Sequence, residues 1–246
     1  MAARARPHPR PELDQSRIDS ETILKRILLL LARGDLEGRR ILFLGDDDGM
    51  AASLEIFKKH NPQFSFRTAV VDIDKLVLRH VAKYDLKHTI GVFECDLRSS
   101  IPEKVMNCFD LVVCDPPYTV EGSQLFLRRA IQCLHSTISL PDEGQDYVHS
   151  RTIYHSFSEK SLSFTAKVEK MILSEGLVIQ EIIKRFNYYL GERLPHRYGN
   201  MWILRTTDNN RENRSRNSLN PDKIYTWQQI EGGIPRNQRE RSQKTG

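Results

Sequence analysis

The chain has 246 residues and a formal net charge of +5 at pH 7, long enough to bury a sizeable core in one large domain. The excess positive charge sits at the two ends, in Arg4, Arg6 and Arg10 and in the stretch after Asp208, so the body is about neutral and nucleic acid is disfavoured as a partner. No apolar region follows the basic start, and the run "ILLLLA" (27–32) is too short to cross a bilayer, which points to a cytoplasmic protein with no membrane partner.

In chain order, residues 1–12 are rich in Pro and Arg and read as a disordered basic arm. A helix follows over "IDSETILKRILLLLARGDLEGRR", with Asp19 or Ser20 as cap and Gly34 closing its end. "RILFLG" then reads as a strand and "MAASLEIFKKH" as a helix. "FRTAVVDID" is the next strand and "KLVLRHVAKYD" the next helix. "TIGVFECD" and "FDLVVCDPPY" are two more strands joined by a short loop-like crossover, and "SQLFLRRAIQCL" is a helix. Beyond these, "DYVHSRT" reads as a fifth strand and "SEKSLSFTAKVEKMILSEG" as a helix. "LVIQEIIKRF" and "NMWILRT" form a closing antiparallel pair. From Asp208 on the chain reads as a polar, largely disordered tail in which Trp227 docks a little of the segment.

The strands are near-continuous Val, Ile, Leu and Phe runs, the pattern of a parallel sheet buried on both faces. Beta-alpha alternation then predicts an α/β fold with a doubly wound open sheet, ligands binding beyond the carboxyl ends of its strands. Cys95, Cys108, Cys114 and Cys133 show neither a C-x-x-C pair nor a zinc-like spacing, so they read as buried reduced thiols and no metal site is expected.

Carboxylates crowd those strand ends: Gly45 with Asp46, Asp47 and Asp48 after the first, Asp72 and Asp74 after the second, Asp96 after the third, Asp115 after the fourth. One such acid is explained by helix capping, but all of them along one rim point to a shared ligand site. An acid ending the second strand suits ribose hydroxyls, Asp72 first and Asp74 as the rival. Asp96 suits an adenine amino group. The rim reads as a nucleoside-binding edge of the class I S-adenosylmethionine-dependent methyltransferase (Rossmann-like) type, an analogy of fold. "DPPY", Asp115 to Tyr118, is the motif of methyltransferases that modify nitrogen. Its carboxylate and the Pro116 carbonyl accept hydrogen bonds from a nitrogen, and the Tyr118 ring covers the acceptor.

The first loop departs from that pattern. Where a G-x-G-x-G loop approaches the amino-acid end of the cofactor, Asp47 stands at the middle glycine, between Gly45 and Gly49. Two like charges about 4 Å apart at an effective dielectric near 20 cost roughly 4 kcal/mol, about a thousandfold against ordinary S-adenosylmethionine. A donor without that carboxylate, ending in an ammonium, and a polyamine acceptor both suit the three acids.

"GDDD" at 45–48 with "DPPYT" at 115–119, supported by "VVDID" and by "DQ" at Asp14–Gln15, resembles the branched-chain polyamine synthases, the N4-bis(aminopropyl)spermidine synthases. The resemblance covers roughly residues 13–207, the Rossmann-like catalytic domain; archaeal members carry a winged-helix domain before it. "RFNYYLGERLPHRYGNMWILRTT" departs from the family pattern, which bears on acceptor length. The resemblance implies transfer of an aminopropyl group from decarboxylated S-adenosylmethionine, a co-substrate with no tightly bound cofactor, to a secondary amine of a polyamine such as spermidine. It places a "GDDD" carboxylate by the reacting amine, Asp47 with Asp46 as the alternative. The acceptor proton goes to Asp47 or Asp115. Gly45, Asp46, Asp72, Asp74 and Asp96 are expected to hold the donor; Gln15, Asp48, Pro116 and Tyr118 are expected to hold the acceptor, and a homodimer is compatible. The rival reading is an S-adenosylmethionine-dependent nitrogen methyltransferase acting on nucleic acid or protein, which explains "DPPY" but not the three acids.

Overall fold

Each central strand feeds two cores at once. In β1 (Arg40–Leu44), Leu42 and Leu44 enter one hydrophobic cluster and Ile41 and Phe43 the other. The same alternation runs through β2 (Arg67–Asp72) and β4 (Leu111–Cys114). Both faces are covered, which is why the sequence shows continuous apolar runs rather than a polar–apolar repeat. Burial of one such side chain, Phe43 for instance at 1 % exposure, stabilises by about 1.5–3 kcal/mol.

The chain is described here by a computed structural model covering residues 6–84, 91–136, 150–158, 160–190, 197–207 and 224–229. Its seven-stranded sheet has the order β3-β2-β1-β4-β5-β7-β6. β1 to β5 are parallel, with β3 at Gly91–Glu94 and β5 at Thr152–Ser158. β7 (Tyr198–Thr206) runs antiparallel between β5 and β6 (Leu177–Tyr188). Helices α1 (Ser20–Ala32), α2 (Met50–His60), α3 (Lys75–Val81), α4 (Val120–Cys133) and α5 (Leu162–Ser174) cover the two faces. The strand order reverses at β1, between β2 and β4, so a crevice opens there at the carboxyl ends. This is the class I methyltransferase-like architecture expected from the alternation. Among the described residues no helix is long and apolar enough to cross a membrane.

The caps agree with the sequence. Asp19 accepts from Thr22 N and starts α1; Gly34, at φ +68°, turns the chain away after it. Two expectations are corrected. The fifth strand was expected over 146–152: residues 146–149 lie outside the described set, and the strand that the structure describes is Thr152–Ser158. His155 and Ser156 disguise it, both fully buried because polar partners on the neighbouring strand and on the helices packed against the sheet receive them. The arm is not loose over residues 6–12. Arg6 is buried, donating to Asp48 O at 2.7 Å and Ile18 O at 2.8 Å, and Pro11–Leu13 form one 3-10 turn. Residues 1–5 and most of the tail lie outside the described set. Residues 224–229 pack onto the body, with Trp227 Nε1 donating to Glu12 O at 3.0 Å.

Candidate active site

Beyond the carboxyl ends of β1 to β4 lies a cavity whose wall is set by strand-end residues. Gly45 leaves β1 at φ +72°, a left-handed backbone that favours glycine, and its amide stays tied to Val71 O at 2.9 Å. The turn brings Asp47 to the cavity wall, facing Asp115 from β4 and Asp72 from β2. Cys95, Asp96 and Leu97 after β3 form one side, Leu125 and Phe126 of α4 another. Leu13, Asp14 and Gln15 from the N-terminal segment and Ile224 and Tyr225 from near the other end close the mouth.

Five carboxylates therefore line the cavity, Asp14, Asp47, Asp72, Asp96 and Asp115, and no Lys or Arg is among its described lining residues. Their electrostatics differ. Asp47 accepts one backbone bond, from Ser16 N at 3.1 Å. Burial, then Asp48, Asp115, Asp72 and Asp46, push its carboxyl well above the ordinary range. Asp72 accepts from Asp46 N at 2.9 Å and Asp74 N at 2.7 Å; burial outweighs these bonds and raises it to about 6. Asp96 chelates Arg98, with contacts of 2.6–2.9 Å, which holds its carboxyl below the usual value. Asp14 accepts from Thr226 N and Oγ1, both at 2.6 Å, and burial raises it.

Asp115 accepts three hydrogen bonds. Tyr118 Oη donates to its Oδ1 at 3.0 Å; Tyr189 Oη at 2.8 Å and Arg26 Nη2 at 3.1 Å donate to its Oδ2. The two tyrosine hydroxyls are also bonded to each other. Burial, and then Asp115, hold both phenols well above their ordinary value. Thr119, next in "DPPYT", caps α4 through Gly122 N and donates to Ile224 O at 2.6 Å, so the motif also anchors the closing segment.

Several expected site residues lie elsewhere. Asp46 does not face the cavity: its carboxylate accepts from Met50 N at 2.8 Å and Ala51 N at 3.2 Å, holding the start of α2. Asp48 is buried beneath the loop and accepts from Ile18 N at 2.9 Å and Arg26 Nη1 at 2.9 Å, so the expected contact with substrate gives way to a structural one. Burial raises it to about 6 despite Arg26. Asp74 caps α3 through Leu76 N at 2.8 Å and accepts from Gln15 Nε2 at 3.2 Å, leaving Asp72 as the acid after β2 that lines the cavity. Gln15 lines the mouth while bonded to Asp74 and Arg10 N. Pro117, rather than Pro116, borders the cavity, and Tyr118 stands behind Asp115.

Two residues were missed. Arg26 lies on the buried face of α1, one helical step from Thr22, Ile23, Ile27 and Leu30, and a charge at a core position was the signal available. Tyr189 gives no such signal. It reaches the site because β6 shifts register between Ile183 and Asn187, around Arg185 at φ +53°, which re-aims the end of the strand.

Residues 1–228 match a family model described as the branched-chain polyamine synthase A C-terminal domain, extending beyond 13–207. The chain is 32 % identical over 191 residues to the N(4)-bis(aminopropyl)spermidine synthase of Thermococcus kodakarensis, covering 76 % of this chain and 50 % of that one. It is 36 % identical over 194 residues to an uncharacterised protein of Methanocaldococcus jannaschii, covering 78 % and 45 %. The chain thus spans about half the length of the curated relatives it matches. The crystal structure of the Thermus thermophilus branched-chain polyamine synthase, in complex with N4-aminopropylspermidine and 5'-methylthioadenosine, aligns with a TM-score of 0.68 at 25 % identity, over 83 % of this chain and 61 % of that one. A magnesium protoporphyrin IX methyltransferase of Synechocystis aligns at 0.51 and 14 % identity, over 76 % and 83 %, a likeness of fold alone.

Proposed function

The chain belongs to the branched-chain polyamine synthase family, and from that premise we propose that it transfers the aminopropyl group of decarboxylated S-adenosylmethionine to a secondary amine of a polyamine such as spermidine. Methylthioadenosine leaves, and the product is a branched polyamine. One observation carries the reading: the cavity offers five carboxylates and no cation among its described lining residues. Both proposed substrates present ammonium groups, and neither carries a carboxylate for Asp47 to repel.

In this reading Asp72 receives the ribose hydroxyls, and the Cys95–Leu97 side receives the adenine. Asp96 meets the adenine amino group only while sharing its carboxylate with Arg98. The acceptor enters between Asp47 and Asp115. An aliphatic ammonium has a pKa of about 10, so freeing its lone pair at pH 7 costs about 4 kcal/mol. A carboxylate beside the nitrogen takes that proton. The amine then attacks the aminopropyl carbon in line; the C–N bond forms as the C–S bond breaks, and the sulfonium becomes a neutral thioether. The nitrogen keeps its remaining proton as a tertiary ammonium.

Nitrogen methylation is the competing reading, and "DPPY" is its support. It leaves Asp47 facing the carboxylate of ordinary S-adenosylmethionine. Mass spectrometry after incubation with decarboxylated S-adenosylmethionine and a panel of polyamines tests the proposal; methylthioadenosine and a branched amine are expected. Thermal stabilisation by S-adenosylmethionine, with none from its decarboxylated form, would establish methyl transfer instead.

A further inference from the structure

Under the cavity floor lies a buried charged network that the proposed chemistry does not yet use. Arg26 is 4 % exposed and makes a hydrogen bond through every guanidinium nitrogen. Nε donates to Asn187 Oδ1 at 3.0 Å, and Nη1 to Asp48 Oδ2 at 2.9 Å. Nη2 is shared between Asp115 Oδ2 at 3.1 Å and Ser156 Oγ at 3.0 Å. Burial opposes its charge, but Asp48 and Asp115 more than compensate and keep it a cation. A guanidinium fork fixed at all its nitrogens is a rigid support, which a flexible ammonium is not.

The two acids flanking the acceptor position are thereby made unequal. Asp115 has donors on both oxygens, from Tyr118, Tyr189 and Arg26. Asp47 has only the Ser16 amide and no cation within salt-bridge distance among the described residues. A carboxylate gripped by three donors is held in one orientation, and one crowded by acids takes a proton readily.

We propose that Arg26 is a positioning residue: by pinning the Asp115 carboxylate in one orientation toward the acceptor nitrogen, it leaves Asp47 to take the proton. This rests on the aminopropyl reading above. The proton passes from the acceptor ammonium to the Asp47 carboxylate, Asp115 stays a hydrogen-bond acceptor that orients the remaining N–H, and the freed pair attacks carbon. Asp48 balances the guanidinium from below without reaching the cavity, which gives the third acid of "GDDD" its function.

The test compares wild type, Arg26→Gln, Arg26→Lys and the double variant Arg26→Gln/Asp48→Asn. The double variant removes one positive and one negative charge and so keeps the net charge of the network, should Arg26→Gln fail to fold. Steady-state formation of methylthioadenosine is read beside calorimetric binding of methylthioadenosine and thermal denaturation. Loss of one preorganised contact predicts a fall in kcat of about 100-fold in Arg26→Gln and in the double variant. KM for the amine and the affinity for methylthioadenosine should stay within about threefold, because Arg26 is not among the described residues that line the cavity, and Arg26→Lys should recover about tenfold of the loss. A merely structural role would lower kcat, weaken nucleoside binding and depress Tm together, without recovery in Arg26→Lys. That pattern, or near-normal kcat in the folded double variant, overturns the inference while the aminopropyl reading stands. A wild type that releases no methylthioadenosine with any amine overturns both.

Discussion

Asp46 N donates to Asp72 Oδ2 at 2.9 Å, tying the loop after β1 to the end of β2 by a bond from the first acid of the triple to an acid of the cavity wall. Asp72 accepts from Asp74 N as well. Its carboxylate therefore clamps the rim while lining the cavity, where the proposed function has it receive the ribose.

That double engagement gives a pH dependence with two opposite signs. Asp72 is raised to about 6 in the folded chain, as is Asp48. A raised carboxyl contributes stability that is complete below the unfolded value near 3.8 and is lost as pH rises through about 6. Measured against Asp72→Asn, so that the opposing effect of His155, lowered to about 3, cancels, acidification from pH 7 to 5 should therefore leave the unliganded wild type more stable, by scanning calorimetry. Ribose hydroxyls need an ionised acceptor, so affinity for methylthioadenosine should fall about tenfold over the same interval. Parallel movement of the two quantities would contradict the assignment of Asp72.

Asp47→Asn and Asp115→Asn should each lower turnover by at least about 100-fold, the usual contribution of a positioned proton acceptor or oriented anion. They should differ in cause. Asp115→Asn leaves Arg26 without one of its two carboxylates and should also lower Tm, whereas Asp47→Asn removes an acid crowded by others and should leave Tm unchanged or higher. Rapid-quench turnover and thermal melts of both variants check this.

Tyr189→Phe removes a donor from Asp115 Oδ2 and the bond to the Tyr118 hydroxyl. A buried hydrogen bond to a charged group contributes about 1.5–3 kcal/mol. A fall in kcat of about tenfold or more is expected, with the fold intact by circular dichroism. Unchanged kcat would show that the phenol does not help to hold Asp115.

Gly122→Ala should loosen the closure. A Cβ there would lie 2.8 Å from Pro117 O, 2.9 Å from Ile224 O and 2.9 Å from Thr119 Oγ1. Two of these are backbone atoms, so α4 and the closing segment must part, at a cost of about 1–3 kcal/mol. Limited proteolysis should then cut near Ile224 faster than in wild type, and a melt should show the lost stability.

The sheet was legible because strands covered on both faces leave uninterrupted apolar runs, as in "RILFL" and "LVVC". β5 was not, since "TIYHSFS" interrupts its apolar positions with His155 and Ser156. His155 contacts Cys114 Sγ at 3.3 Å and Ser123 Oγ at 2.6 Å, and burial lowers it to about 3. At the rim, sequence located the acids but not their directions. Whether a carboxylate turns outward or back onto a helix depends on the loop after Gly45, where Asp46 folds onto α2 and Asp48 sinks toward Arg26. Arg26 could have been found from its spacing within α1. Tyr189 could not, because a local irregularity in β6 decides where it points.

Asp46, Asp47, Asp48 and Asp72 all sit above the ordinary carboxyl range, by burial and by one another's proximity. Such a cluster binds hydrogen ions more readily than free carboxyls do, and an arriving polycation displaces them into the medium. The heat of polyamine association should accordingly differ between phosphate and Tris solutions, in proportion to their ionisation enthalpies. The slope counts the ions exchanged.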